Sequence, residues 1–326
     1  MTTIDPKEKI LVLPDGRDLA YCENGIPSSN TIVLFLHGLF GVGRADRQMP
    51  AWRDAGVHVV VPTLPGFGNS SDRPKSIPYA VSLGRDMAAL IEHLHPNEPN
   101  LRIYVGGGSY GTAGAQMLYG LPFDIFPYGK NIVGTMLLAP LSPFRHDKDY
   151  TKGMTWQNWI GVGPPSQLVP FQLLQRMTSS VIGMKFKTVE KAEAFLRGML
   201  FDKATAEERE AFTKWKAREG VAEGQFEREI AENAVKSIRN WSGFLEGADV
   251  LHSDWGFVPS MLDEEHCKRP ILIVASKEDP LGTHMATWLA ENYKNAQLKW
   301  IPGGHISAAW EMDAIWREFM EGIDGN

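Results

Sequence analysis

Apolar and polar positions in the first 140 residues follow two alternating rhythms. Lys9–Leu13 and Asp18–Cys22 flank Pro14-Asp15-Gly16 and predict a β-hairpin. Thr31–Leu36 (TIVLFL) and Val57–Val61 (VHVVV) are almost continuously apolar, the pattern of strands buried on both faces. Leu83, Met87, Leu90, Ile91 and Leu94 recur at the helical period and predict a helix over Tyr79–His95. Leu101–Val105 reads as strand, Tyr110–Leu118 as helix and Ile132–Ala139 as strand. Strands separated by helices imply a mostly parallel central sheet with helices on both faces.

From Leu141 to Arg269 the strand rhythm stops. Helices are predicted over Thr188–Phe201, Thr205–Glu219 and Gln225–Leu245, and Thr205 with Glu208 has the spacing of a capping box. Strand returns at Pro270–Ala275, followed by helix near Leu281–Tyr293, strand at Gln297–Ile301 and helix near Ser307–Met320. The expected organisation is an α/β core, 1–140 plus 270–326, split by an inserted all-helical cap or lid, 141–269. Five of the ten tryptophans (Trp156, Trp159, Trp215, Trp241 and Trp255) lie in the insertion. Most should form its own core. A cap over a site would leave an enclosed, mainly apolar pocket.

Composition narrows the partners. The 326 residues are 43% hydrophobic and 22% charged, which excludes a disordered chain. With 33 basic against 39 acidic residues the net charge is −6, which argues against nucleic acid. No apolar run reaches the roughly 18–20 residues of a membrane span. MTTIDPKEKI has no apolar stretch, so no secretory leader is expected. Cys22 and Cys267 cannot form a disulfide framework; a cytoplasmic setting is expected. Nothing in the sequence speaks to oligomeric state.

The strongest chemical signal is Gly107-Gly108-Ser109-Tyr110-Gly111, a G-x-S-x-G turn between a strand and a helix. Gly107 and Gly111 let strand and helix approach, and the turn lifts the Ser109 hydroxyl clear of the sheet. The Tyr110 N–H opens a helix, where negative charge is favoured. A second donor to a developing oxyanion is expected from Leu39, in His37-Gly38-Leu39-Phe40-Gly41 after the strand Thr31–Leu36. His37 itself reads as structural rather than catalytic. Of the nine histidines, His305 follows the last strand in Ile301-Pro302-Gly303-Gly304-His305, a turn that could swing an imidazole over the sheet edge. Its orienting acid is expected in Ser276-Lys277-Glu278-Asp279-Pro280: Asp279, with Glu278 as the alternative. No ligand spacing for a metal or organic cofactor is visible, and none is expected.

With Asp15-Gly16-Arg17, His37-Gly38, Pro65-Gly66-Phe67-Gly68-Asn69-Ser70, the Ser109 turn, Asp279 and His305, the chain resembles the α/β-hydrolase superfamily. The resemblance implies an α/β-hydrolase fold and a serine hydrolase with the triad Ser109, Asp279 and His305. A serine nucleophile sets it apart from the epoxide hydrolases and haloalkane dehalogenases, which attack through a carboxylate. Thr63-Leu64 stands where many relatives carry Asp-Arg. Tyr110 stands where proline iminopeptidases usually carry Trp. The expected substrate is a carboxylic ester or lactone of a mainly apolar small molecule. Carbon–carbon hydrolysis of a diketone, iminopeptidase or amidase activity, and a small-molecule receptor retaining the triad are the alternatives.

Overall fold

The computed structural model describes residues 7–202 and 204–325, so most of the N-terminal stretch read for a leader lies outside them. Eight strands form one sheet: β1 Lys9–Val12, β2 Asp18–Gly25, β3 Thr31–Leu36, β4 His58–Pro62, β5 Arg102–Gly108, β6 Ile132–Leu138, β7 Ile271–Ser276 and β8 Ala296–Ile301. Their order is β1-β2-β4-β3-β5-β6-β7-β8, antiparallel at the β1–β2 and β2–β4 seams and parallel elsewhere. The helices are α1 Pro50–Asp54, α2 Tyr79–Leu94, α3 Gly111–Gly120, α4 Trp156–Val162, α5 Pro165–Leu168, α6 Leu173–Lys185, α7 Val189–Leu200, α8 Ala206–Glu219, α9 Gln225–Ser237, α10 Ser242–His252, α11 Glu264–Cys267, α12 His284–Asn292 and α13 Ala308–Asp324. No helix among the described residues is long and apolar enough to cross a membrane.

The central strands are apolar on both faces because both faces are covered. Ile32, Leu34, Ile103, Val105, Leu137 and Ile273 share a core with α2, α3 and α12. The intervening Val33, Tyr104, Met136, Leu272 and Val274 share another with Trp52 of α1 and Trp316 and Phe319 of α13. That period-2 division explains the absence of polar alternation in the sequence. β5 runs three residues beyond the apolar stretch that predicts it, through Gly106-Gly107-Gly108, because its glycines stay in register with β6.

Between β6 and β7 every regular element among the described residues is helical. The helix expected over Gln225–Leu245 is two helices, α9 and α10. The break lies where the segment meets the 63–72 loop: the Gly68 N–H donates to the Ser237 carbonyl at 3.1 Å, and the Gly243 N–H to the Gly66 carbonyl at 2.8 Å. Asn240, inside the break, donates to the Ser70 carbonyl at 3.2 Å and to Asp72 at 2.8 Å. These tertiary bonds replace the helical ones. α4 and α5 are too short to show a clear period in the sequence, and Gly161, Gly163, Pro164, Pro165 and Pro170 break the pattern around them. Phe186, Ala192, Leu196, Ala231 and Ala234 form a small core inside the insertion. Its aromatic residues divide: Trp255 is buried, whereas Trp156 is 69% and Phe171 88% exposed.

Candidate active site

Ser109 sits at the carboxyl end of β5, beside β3, where the strand order reverses direction. Its φ of 53° is in the left-handed region, at a cost of about 1 kcal/mol for a non-glycine residue. The surroundings hold it there. Its N–H donates to the Leu138 carbonyl at 2.8 Å, and its carbonyl accepts from the Thr112 N–H at 3.0 Å and hydroxyl at 2.6 Å. A Cβ at Gly107 would overlap the Gly111 carbonyl, and one at Gly111 the Leu36 carbonyl. Both glycines are therefore steric necessities of the strand-to-helix turn.

His305 follows β8 and Asp279 follows β7, two neighbouring strands away from the seam. His305 Nε2 is 2.9 Å from Ser109 Oγ, and His305 Nδ1 is 2.8 Å from Asp279 Oδ2. The other oxygen of Asp279 accepts from the Leu281 N–H at 2.8 Å, which fixes the carboxylate. Nδ1 faces a carboxylate and so carries the proton; Nε2 is left to accept from the serine hydroxyl. Glu278 is not beside the imidazole. It accepts from the Gly303 N–H at 3.0 Å and holds the turn instead.

Gly38 packs against Gly108 and Ser109, so the β3 loop lies beside the serine. The N–H groups of Leu39 and Tyr110 donate to no other described residue. Tyr110 precedes α3, so its N–H stands at a helix N-terminus. His37 is buried; its Nε2 accepts from the Leu64 N–H at 2.9 Å and its Nδ1 lies 2.8 Å from the Gly38 carbonyl. Burial pulls its pKa down to about 4, so it is neutral and braces the loop.

A residue outside the sequence-derived set holds the turn that carries His305. Glu208, the capping-box carboxylate of α8, accepts from the Gly304 N–H at 2.6 Å and the Ser307 hydroxyl at 2.9 Å while its second oxygen accepts from the Thr205 N–H at 2.7 Å. The capping-box spacing in the sequence foretells the Thr205 bond. The bonds to the His305 turn join residues about a hundred positions apart and have no local signal.

A sequence profile of the Alpha/beta hydrolase family matches residues 33–317. The chain belongs to that family. This hydrolase is 35% identical over 109 residues to Lipase 1 of Psychrobacter immobilis, a match that spans 33% of this chain and 33% of that protein. The aligned part is thus about a third of the relative's length. Its fold is shared with a hydrolase from Pseudomonas aeruginosa (TM-score 0.59, 16% identity, covering 99% of this chain and 100% of the other). It is shared also with a bromoperoxidase from Bacillus anthracis (0.60, 16%, 98% and 100%). An esterase from Exiguobacterium antarcticum is similar to the same degree (0.59, 16%, 97% and 99%). At these identities the likeness extends to the fold alone.

Proposed function

We propose that this α/β hydrolase is a serine hydrolase of carboxylic esters or lactones of mainly apolar small molecules. The observation that carries the reading is the unbroken relay from Ser109 Oγ through the two nitrogens of His305 to Asp279, at 2.9 and 2.8 Å. Ser109 Oγ attacks the carbonyl carbon while its proton passes to His305 Nε2. Asp279 holds the Nδ1 proton in place and stabilises the imidazolium. The Leu39 and Tyr110 N–H groups receive the oxyanion, each worth roughly 10²–10³ in rate. The imidazolium then gives its proton to the leaving alkoxide, or to the ring oxygen of a lactone. Water, deprotonated by His305, cleaves the acyl-enzyme and regenerates Ser109.

Two features support an apolar substrate under a helical cap formed by residues 141–269. Phe40, next to Leu39, is stacked on Phe244 at 5.4 Å and edge-on to Phe186 at 5.5 Å, and both partners belong to the insertion. Gly247 of α10 lies against the side chains of Leu39 and Tyr110. Neither Cys22 nor Cys267 sits in a disulfide, which supports the cytoplasmic setting.

The test is an ester and lactone panel of graded acyl length, run with a fluorophosphonate probe. Multiple turnover of esters or lactones, with kcat/KM rising as acyl bulk grows, is the expected result. Turnover confined to diketones or amides would move the reading to another bond. A single slow turnover would favour a receptor.

A further inference from the structure

Fifteen large apolar side chains are exposed among the described residues, and nine of them lie between Trp156 and Met184. The remainder are scattered over the rest of the chain. On α6, Leu173, Met177, Val181 and Met184 recur at i, i+4, i+8 and i+11, one stripe along one helix face. The opposite side of α6 packs against α10 and carries the buried Gln175. Just before the helix, Phe171 and Gln172 are consecutive left-handed residues, with φ of 60° and 55°. The Gln172 amide is tied to Asp249 of α10 at 2.7 Å. This turn presents the Phe171 ring to solvent rather than burying it.

The charge of this stretch is also unlike the rest. The chain carries a net −6, yet from Tyr150 to Val189 there is no aspartate or glutamate. A segment of that length would carry about five at the chain's average acidic content. Its cations include Arg176, Lys185 and Lys187, all exposed and in no ion pair with another described residue. An apolar stripe bordered by cations, in a segment with no acid of its own and with Asp249 of α10 engaged by Gln167 and Gln172, is complementary to one kind of surface.

We propose that this face of the insertion, centred on α6, docks on an anionic lipid bilayer. The stripe and Phe171 enter the boundary between headgroups and acyl chains, and Arg176, Lys185 and Lys187 sit among the anionic headgroups. Trp156, exposed on the same module, has the ring type favoured at that depth. A second copy of the chain is a poorer occupant. Self-docking would bring the same cations together with no acid in the segment to offset them. The proposal is independent of which bond the enzyme cleaves.

Co-sedimentation with vesicles decides it, using phosphatidylcholine alone and phosphatidylcholine mixed with phosphatidylglycerol. The full chain should bind the mixed vesicles at least about tenfold more tightly, and added salt should weaken the binding. The double variant Met177→Glu/Val181→Glu should lose binding to both vesicles, with unchanged circular dichroism and thermal unfolding. Lys185→Glu/Lys187→Glu should lose only the preference for phosphatidylglycerol. No pelleting of the wild-type chain overturns the proposal, as does binding that survives both double variants. Light scattering supplies the remaining outcome: a wild-type dimer that Met177→Glu/Val181→Glu splits, without vesicle binding, assigns the face to a second copy.

Discussion

Asp279 Oδ2 lies 2.8 Å from Nδ1 of His305, while Glu278, one residue earlier, is turned onto the Gly303 N–H at 3.0 Å. Adjacent carboxylates on one loop thus hold different parts of one turn. Asp279→Asn should lower kcat by roughly 10⁴, because an amide can donate to Nδ1 and favours the wrong imidazole tautomer. Glu278→Gln keeps an oxygen acceptor for Gly303 and should cost less than about tenfold. Steady-state kinetics on one ester separates the two; a reversed order would move the orienting acid to Glu278.

Ser109 lies on the β5–α3 turn with φ of 53° and its Oγ 2.9 Å from His305 Nε2. A fluorophosphonate should label it alone at low reagent concentration. Ser109→Ala should reduce turnover by up to about a million-fold, since triad members act as a unit. Peptide mass spectrometry that recovered the adduct on another serine would falsify the assignment.

The two glycines of the Ser109 turn and the histidine after β8 are legible in the sequence because each answers a local demand. A Cβ at Gly111 collides with the Leu36 carbonyl, and Gly303, two residues before His305, has φ of 92° and no room for a side chain. The core strands are legible because both faces are buried, so hydrophobicity alone marks them. The insertion is less legible for the opposite reason. α9 and α10 are separated by hydrogen bonds to Gly66 and Gly68, partners that no local period can announce. α6 has a stripe, but on its exposed side, so its apolar pattern reports a surface rather than a core.

Gly243 sits at that break, with the Phe67 ring where its Cβ would be. Gly243→Ala must push the α9–α10 junction off the 63–72 loop and should destabilise the protein by about 1–3 kcal/mol. Gly161, in α4, has nothing within 4 Å of its Cβ position. Gly161→Ala should be neutral or stabilising by up to about 1 kcal/mol. Urea denaturation of the pair checks the contrast, and equal effects would contradict the packing at Phe67.

His37 supplies a pH dependence. Burial holds its pKa near 4 in the folded chain, below the ordinary 6.5. Below pH 6.5 the unfolded chain takes up a proton that the folded chain refuses, so stability must fall with pH across the window from 6.5 to 4. The loss from this one group should be about 2 kcal/mol between pH 7 and pH 5. His58 and His95, both lowered by burial, add to the slope in the same sense. Denaturation curves of wild type and His37→Gln at the two pH values should differ in slope by the His37 share. Parallel slopes would mean that His37 stays protonatable in the folded protein.

Glu208, on α8 between β6 and β7, holds the turn that carries His305. Burial by itself would raise its pKa, but hydrogen bonds from Thr205, Gly304 and Ser307 outweigh burial and hold it below the ordinary glutamate value. The carboxylate is therefore ionised at neutral pH, and its grip is lost only as pH falls through that lowered value. Gly303, with φ of 92°, has no room for a side chain beside Glu208, and Ser276, Glu278 and Ser307 hold the same turn from other sides. Glu208→Gln retains one acceptor oxygen where the native residue uses two. His305 should then spend less time aligned between Asp279 and Ser109. The expected outcome is a kcat about tenfold lower with KM almost unchanged, because alignment matters in the transition state and not in substrate binding. Glu208→Asp keeps the charge but shortens the reach by one methylene, and should recover part of the loss. A purely structural role predicts otherwise: thermal unfolding would drop and the kcat of the remaining folded enzyme, titrated with the fluorophosphonate, would equal that of wild type.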